Sequence, residues 1–324
     1  MRSGTEPLAP SWADYRAGGE RRRLWRNYWY RDVFPELLQW ALFHLYSVLP
    51  IPLVSFLGQL VSTNIIPRLF PNMIVRTMIN LRWLLPDKSE EELQAIVRRQ
   101  FAELGRLHSE YSIMHRLMAA GRIRLVNAEL ATESVKRGPV IFVGVHTGNF
   151  ETIGQVGKHL GIPALFTYEP QPSPMHNHLR RKVWARNSAP GSMAVPPGPA
   201  FALEALRWLR RGKPVMLYCD DAVHGTVVAP LFGHPPRVDS NYAIAARLAR
   251  VTNATILPFH VVRTKGCRFT VTFGPVIELP PTEDARGALM GDVARMNAVI
   301  EPFVRAHLEQ WYWLNWPIPG RNYP

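Results

Sequence analysis

Between residues 37 and 67 the chain carries no Asp, Glu, Lys or Arg, its longest such stretch. About 20 apolar residues suffice to span a bilayer as one helix. Pro50 and Pro52 interrupt this run, because proline removes a helix hydrogen bond and clashes with the preceding turn. The pattern therefore predicts two helices, over 37–49 and 53–66, each too short to cross alone. Two readings fit: a hairpin lying in or dipping into one leaflet, with the arginines between 21 and 31 near anionic headgroups, or a buried helical hairpin of the core. We take the first as the expectation.

Ser89-Glu90-Glu91-Glu92 has the form of a capping box, in which serine accepts from an early backbone N–H and the third glutamate reaches back. It predicts a long amphipathic helix towards residue 118, with Ile96, Phe101, Leu104, Leu107 and Tyr111 facing the sheet. His108 and His115 on it are read as ordinary surface or core residues. After Gly121 short apolar runs (140–145, 164–168, 215–219, 256–262, 269–273) alternate with helical stretches (150–160, 178–186, 200–211, 242–252). Such alternation predicts an α/β fold with a mixed, mostly parallel sheet flanked by helices. The last two strands are joined as a hairpin by Thr264-Lys265-Gly266-Cys267, and a helix over 288–308 closes the chain. The expected division is a basic segment 1–34, a helical membrane-associated and support region 35–120, and a catalytic α/β core 121–324 continuous with it.

Composition narrows the partners. The 324 residues can bury a large core, and 38 Lys+Arg against 25 Asp+Glu give +13. That charge favours an acidic partner such as a lipid leaflet, an acidic carrier protein or nucleic acid, without choosing between them. Two cysteines without a C-x-x-C spacing imply neither a zinc site nor a disulfide framework, and a reducing compartment follows. No short basic start leads into an apolar core, so no cleaved targeting segment is expected.

The sharpest candidate chemistry is His146, which ends the apolar run 139–145 and is followed five residues on by Glu151. Spacing alone is weak: with 25 acids in 324 residues, about one of the 11 histidines should match by accident. His234 and Asp239 repeat the spacing, but in a Pro-rich loop. His146 instead precedes Gly148, Asn149 and a helix, whose positive end helps keep an imidazole neutral. From the first turn Glu151 could fold back to one ring nitrogen and leave the other to take a proton. No G-x-S-x-G, Walker A, G-x-G-x-x-G or H-E-x-x-H motif is present.

The His146…Glu151 box, the arginine-rich segment after it, and Cys219-Asp220-Asp221-Ala222-Val223-His224-Gly225-Thr226-Val227-Val228-Ala229-Pro230-Leu231-Phe232-Gly233 together resemble the bacterial lipid A biosynthesis acyltransferase family, from about residue 35 to 316. Glu301-Pro302-Phe303 and Glu309-Gln310-Trp311-Tyr312-Trp313-Leu314 resemble its closing helix. The resemblance implies transfer of a fatty acyl chain from an acyl carrier protein or coenzyme A thioester to a lipid hydroxyl at the cytoplasmic face of the inner membrane. A lipid A precursor is the leading acceptor, with another glycolipid, a phospholipid or a secondary metabolite as alternatives. It also implies His146 as general base and Glu151 as its partner, with Asn149, Arg180, Arg181, Arg186, Asp220 and Asp221 at the substrate. Neither metal, cofactor nor nucleic acid is expected, although Asp220, Asp221 and His224 could suggest a metal. A thioesterase and a non-catalytic membrane-binding module are the competing readings. Eight Lys/Arg and one acid, Glu204, between residues 176 and 213 make either a docking patch or a solvated face. Trp311, Trp313 and Trp316 are read as packing.

Overall fold

A computed structural model describes residues 9–170, 174–223 and 225–323. Its centre is a sheet of seven strands: β1 (Ile123–Val126), β2 (Val140–Gly144), β3 (Leu165–Thr167), β4 (Met193–Val195), β5 (Val215–Tyr218), then β8 (Thr255–Lys265) and β9 (Arg268–Phe273). A two-stranded ribbon of β6 (Ala222–Val223) and β7 (Thr226–Val227) intervenes. Across the sheet the order is β1-β9-β8-β2-β5-β3-β4. Only β8 and β9 pair antiparallel, as the predicted hairpin; every other neighbour is parallel.

β2 is the middle strand and all five of its residues are buried. Because side chains alternate across a strand, Ile141 and Val143 enter one apolar cluster while Val140 and Phe142 enter the other. The first holds the helices Pro71–Leu84, Glu90–Glu110, Pro199–Arg210, Asn241–Thr252 and Leu289–Arg305. The second takes Ile51 and Val54, the short helix Met114–Leu117, Ala131 of the helix Ala128–Arg137, and Val156 of the helix Ile153–Leu160.

The apolar run forms two helices, Phe34–Val48 and Ile51–Asn64. Pro50 caps the second and Pro52 occupies its first turn, where a missing N–H costs nothing. Among the described residues no single helix is long and apolar enough to cross a membrane; Ile51–Leu69 and Pro71–Leu84 together form an apolar pair bent by 98°. The Ser89/Glu92 capping box is present, with bonds of 3.3 and 2.9 Å.

The helix that starts there ends at Glu110 rather than near residue 118. A turn at 111–113 redirects the chain so that Ile113, Met114 and Leu117 join the second cluster instead of continuing along the first. β1, β4 and the ribbon are strands that the periodicity did not predict; each has only two to four residues, too few to show an alternation.

Candidate active site

The turn after β2 is shaped by what surrounds it. Gly144 lies against the Phe259 ring with no room for a Cβ. Gly148 is left-handed at φ 57°, and a Cβ there would come within 2.9 Å of the Val261 carbonyl. Both positions therefore require glycine. Thr147 Oγ1 donates to Val261 O at 2.9 Å, Gly148 N to Gln310 O at 3.2 Å, and Tyr312 N to His146 O at 2.9 Å. The turn is thus wedged between β8 and the C-terminal segment. A 3-10 turn, Phe150–Thr152, follows and leads into the helix Ile153–Leu160.

His146 stands on this turn with Asp220, which lies just past β5. Asp220 is fully buried; its Oδ1 is 2.8 Å from His146 Nδ1, while its Oδ2 accepts from His146 N at 2.7 Å and Trp311 Nε1 at 2.9 Å. Trp313 Nε1 lies 3.2 Å from the same ring nitrogen. One nitrogen cannot donate to a carboxylate and accept from an indole at once. The shorter, charge-assisted contact prevails and puts the proton on Nδ1. Nε2 is then the basic nitrogen, with no hydrogen-bond partner among the described residues. Tyr218 lies along one side of the ring, with centroids 4.2 Å apart, and Phe150 meets it edge-on at 4.6 Å.

The expected fold-back of Glu151 onto the ring is not what the structure has. Asp220, 74 residues away, holds Nδ1, because β2 and β5 are neighbours in register and place their C-terminal ends together. Glu151 lines the cavity beside His146 without bonding to it among the described residues. Burial raises its carboxyl above the usual range, opposed by the charges of Arg180 and His146.

His146 and Glu151 lie at a cavity of about 780 Å³, within the roughly 300–1,000 Å³ usual for small-molecule sites. Its apolar wall is one face of the sheet, where Phe142, Met216 and Phe166 stand side by side in register. Val156, Ile162 and Phe273 extend this wall.

Of the other expected site residues, Arg180 and Asp221 line the cavity. Arg180 donates to Glu169 O at 2.7 Å and lies over Trp184. Asp221 Oδ2 accepts from Asn241 N at 3.1 Å; its Oδ1 is buried without a hydrogen-bond partner among the described residues, and burial lifts the carboxyl to about 7. Arg181 and Arg186 are exposed on the helix Pro174–Asn187 and are not part of the lining. Asn149 is fully buried and turned away from the cavity, donating to Glu110 at 2.9 Å. Trp311, Tyr312 and Trp313 do more than pack, since each touches the His146–Asp220 pair or its backbone. Nothing in their position along the chain signalled this contact.

No group of three metal-binding side chains occurs among the described residues, and His224 lies outside them. The model of the bacterial lipid A biosynthesis acyltransferase family matches residues 28–316. The chain belongs to that family. No curated protein matches it. Membership makes the chain an acyltransferase of lipid A biosynthesis, and its cavity and His146 stand together at the carboxyl ends of β2 and β5, where α/β sheets commonly bind ligands.

Proposed function

We propose that this acyltransferase moves a fatty acyl chain from a carrier-protein or coenzyme A thioester to a hydroxyl of a lipid A precursor, with His146 as general base. The observation that carries the reading is an imidazole held through Nδ1 by a buried carboxylate, with Nε2 unpartnered at an apolar-walled cavity. Nε2 takes the proton of the acceptor hydroxyl as its oxygen attacks the thioester carbon. The C–S bond then breaks, and the imidazolium returns the proton to the departing thiolate. Asp220 keeps the tautomer and steadies the imidazolium. Glu151 adds negative charge near the ring, and Arg180 offers a cation for a phosphate or for the thioester oxygen as it gains charge.

The lipid acceptor lies in the membrane and the thioester donor comes from water, and the surface suits both. Val48, Phe56, Leu60, Leu69 and Phe70 are exposed on or beside the N-terminal helices, and Arg21, Arg22, Arg23 and Arg26 are exposed before them, with Arg22 over Tyr15 of an aromatic cluster that includes Trp12 and Trp25. An apolar face beside basic and aromatic residues suits one anionic leaflet. The exposed arginines of the helix Pro174–Asn187 suit an acidic carrier protein. Cytoplasmic thioesters put the reaction on the inner face of the inner membrane.

Mass spectrometry of lipid A from cells with wild-type protein, no protein or H146A tests this. Wild type should carry one acyl chain more than the other two. Full acylation with H146A would end the general-base reading, and free fatty acid without acylated product would favour a thioesterase.

A further inference from the structure

Behind the catalytic turn, away from the cavity, sits a carboxylate that the transfer chemistry does not use. Glu110 ends the helix Glu90–Glu110 and its side chain is fully buried. Its Oε1 accepts from Ser55 Oγ at 2.6 Å, Arg263 Nη1 at 2.7 Å and Cys267 Sγ at 3.2 Å. Its Oε2 accepts from Asn149 Nδ2 at 2.9 Å and Arg263 Nη2 at 3.0 Å. Arg263 Nε continues to Glu103 at 2.5 Å, and Arg106 Nη1 reaches Ser55 Oγ at 2.7 Å.

Stability is a poor account of this cluster. Desolvating charges costs so much that well-packed apolar replacements of a buried ion pair are often as stable. What the carboxylate does that an apolar side chain could not is accept from Asn149. The Asn149 side chain depends on that bond: among the described residues its Oδ1 has no hydrogen-bond partner, and Glu110 is the acceptor for its Nδ2. Its backbone carbonyl in turn accepts from Thr152 N at 3.0 Å and Thr152 Oγ1 at 2.8 Å. Asn149 is three residues past His146 and joins it to Phe150, whose ring meets the imidazole edge-on.

We propose that Glu110 is a positioning residue for acyl transfer: through Asn149 Nδ2 it fixes the turn that presents His146 Nε2 to the cavity. The proposal rests on the general-base reading of His146. Arg263 completes the device from the other side, because its own N–H and carbonyl are bonded to Gln310, whose carbonyl takes Gly148 N.

The test uses the full chain in detergent micelles, with dodecanoyl-coenzyme A as donor and a lipid A precursor as acceptor. E110Q and N149A are compared singly and together; N149A leaves the Arg263–Glu110 pair whole and so guards against a folding failure of E110Q. Each single variant should lower kcat by about 10- to 100-fold, the scale of a small misplacement of a catalytic group. Donor KM should stay within about twofold, and the double variant should be no slower than the slower single one, as for two ends of one interaction. Amide hydrogen exchange gives a readout independent of activity: residues 145–152 should exchange about tenfold faster in N149A, with β2 and the helix Pro199–Arg210 unchanged.

Additive losses of kcat, unchanged exchange at 145–152, or loosening of the whole chain in N149A would each overturn the proposal. A wild type that acylates nothing with dodecanoyl-coenzyme A or with the dodecanoyl carrier-protein thioester would overturn the acyl-transfer reading on which the proposal rests. The exchange result still decides separately whether Glu110 holds the turn.

Discussion

An imidazole serves as a base at one nitrogen only when something fixes the proton on the other. Here that group is Asp220, whose two oxygens grip both the ring and the backbone of His146. D220N should therefore lower kcat by about 10²- to 10⁴-fold while thioester KM changes little, since the cost is a wrong tautomer rather than lost binding. Steady-state kinetics on the two variants D220N and E151Q separates the roles: the larger fall is expected for D220N, because Glu151 acts on the ring only through charge. The place of His146 was legible in the sequence, since an apolar run followed by His, Thr, Gly and Asn marks a strand that stops at a turn. Its partner was not, because no spacing along the chain reports that β2 and β5 are neighbours. Asp220 was visible only as an acid in a family-like turn.

At the scale of elements, the apolar cavity wall is formed by strand residues in register, and the helix Ala128–Arg137 closes part of it with Ala131, which is 1% exposed. This helix packs on β9, whose Phe273 also lines the cavity. A131F should fill space that the acyl chain would use and shift preference to shorter donors. Competition between dodecanoyl and hexadecanoyl thioesters in one reaction measures this; an unchanged product ratio would mean that the chain lies elsewhere. The helix escaped sequence reading because it is short, ten residues, with only Leu130 and Val135 as large apolar side chains. The β2, β5 and β8 strands were legible because burial on both faces leaves unbroken apolar runs.

For the whole molecule, the exposed apolar helices and the basic aromatic start should act together. The chain should float with vesicles containing anionic lipid, and the triple variant R21E/R22E/R23E should bind them on the order of 100-fold less tightly at low salt. Added salt should shrink that difference, whereas equal flotation of both proteins would assign binding to the apolar face alone. The prolines of residues 50 and 52 told where this layer breaks, but not that its second helix is pressed onto the helix Glu90–Glu110. That contact comes from small residues: Gly58 and Gly105 meet with no room for a Cβ on either, while Ser55 reaches Glu110. The exposed apolar helices are therefore also a wall of the enzyme's interior, not a detachable segment. A water-soluble form of this enzyme cannot be made by trimming the chain to its sheet; it has to be made by repainting the outer face of those helices with polar side chains while their inner face stays as it is.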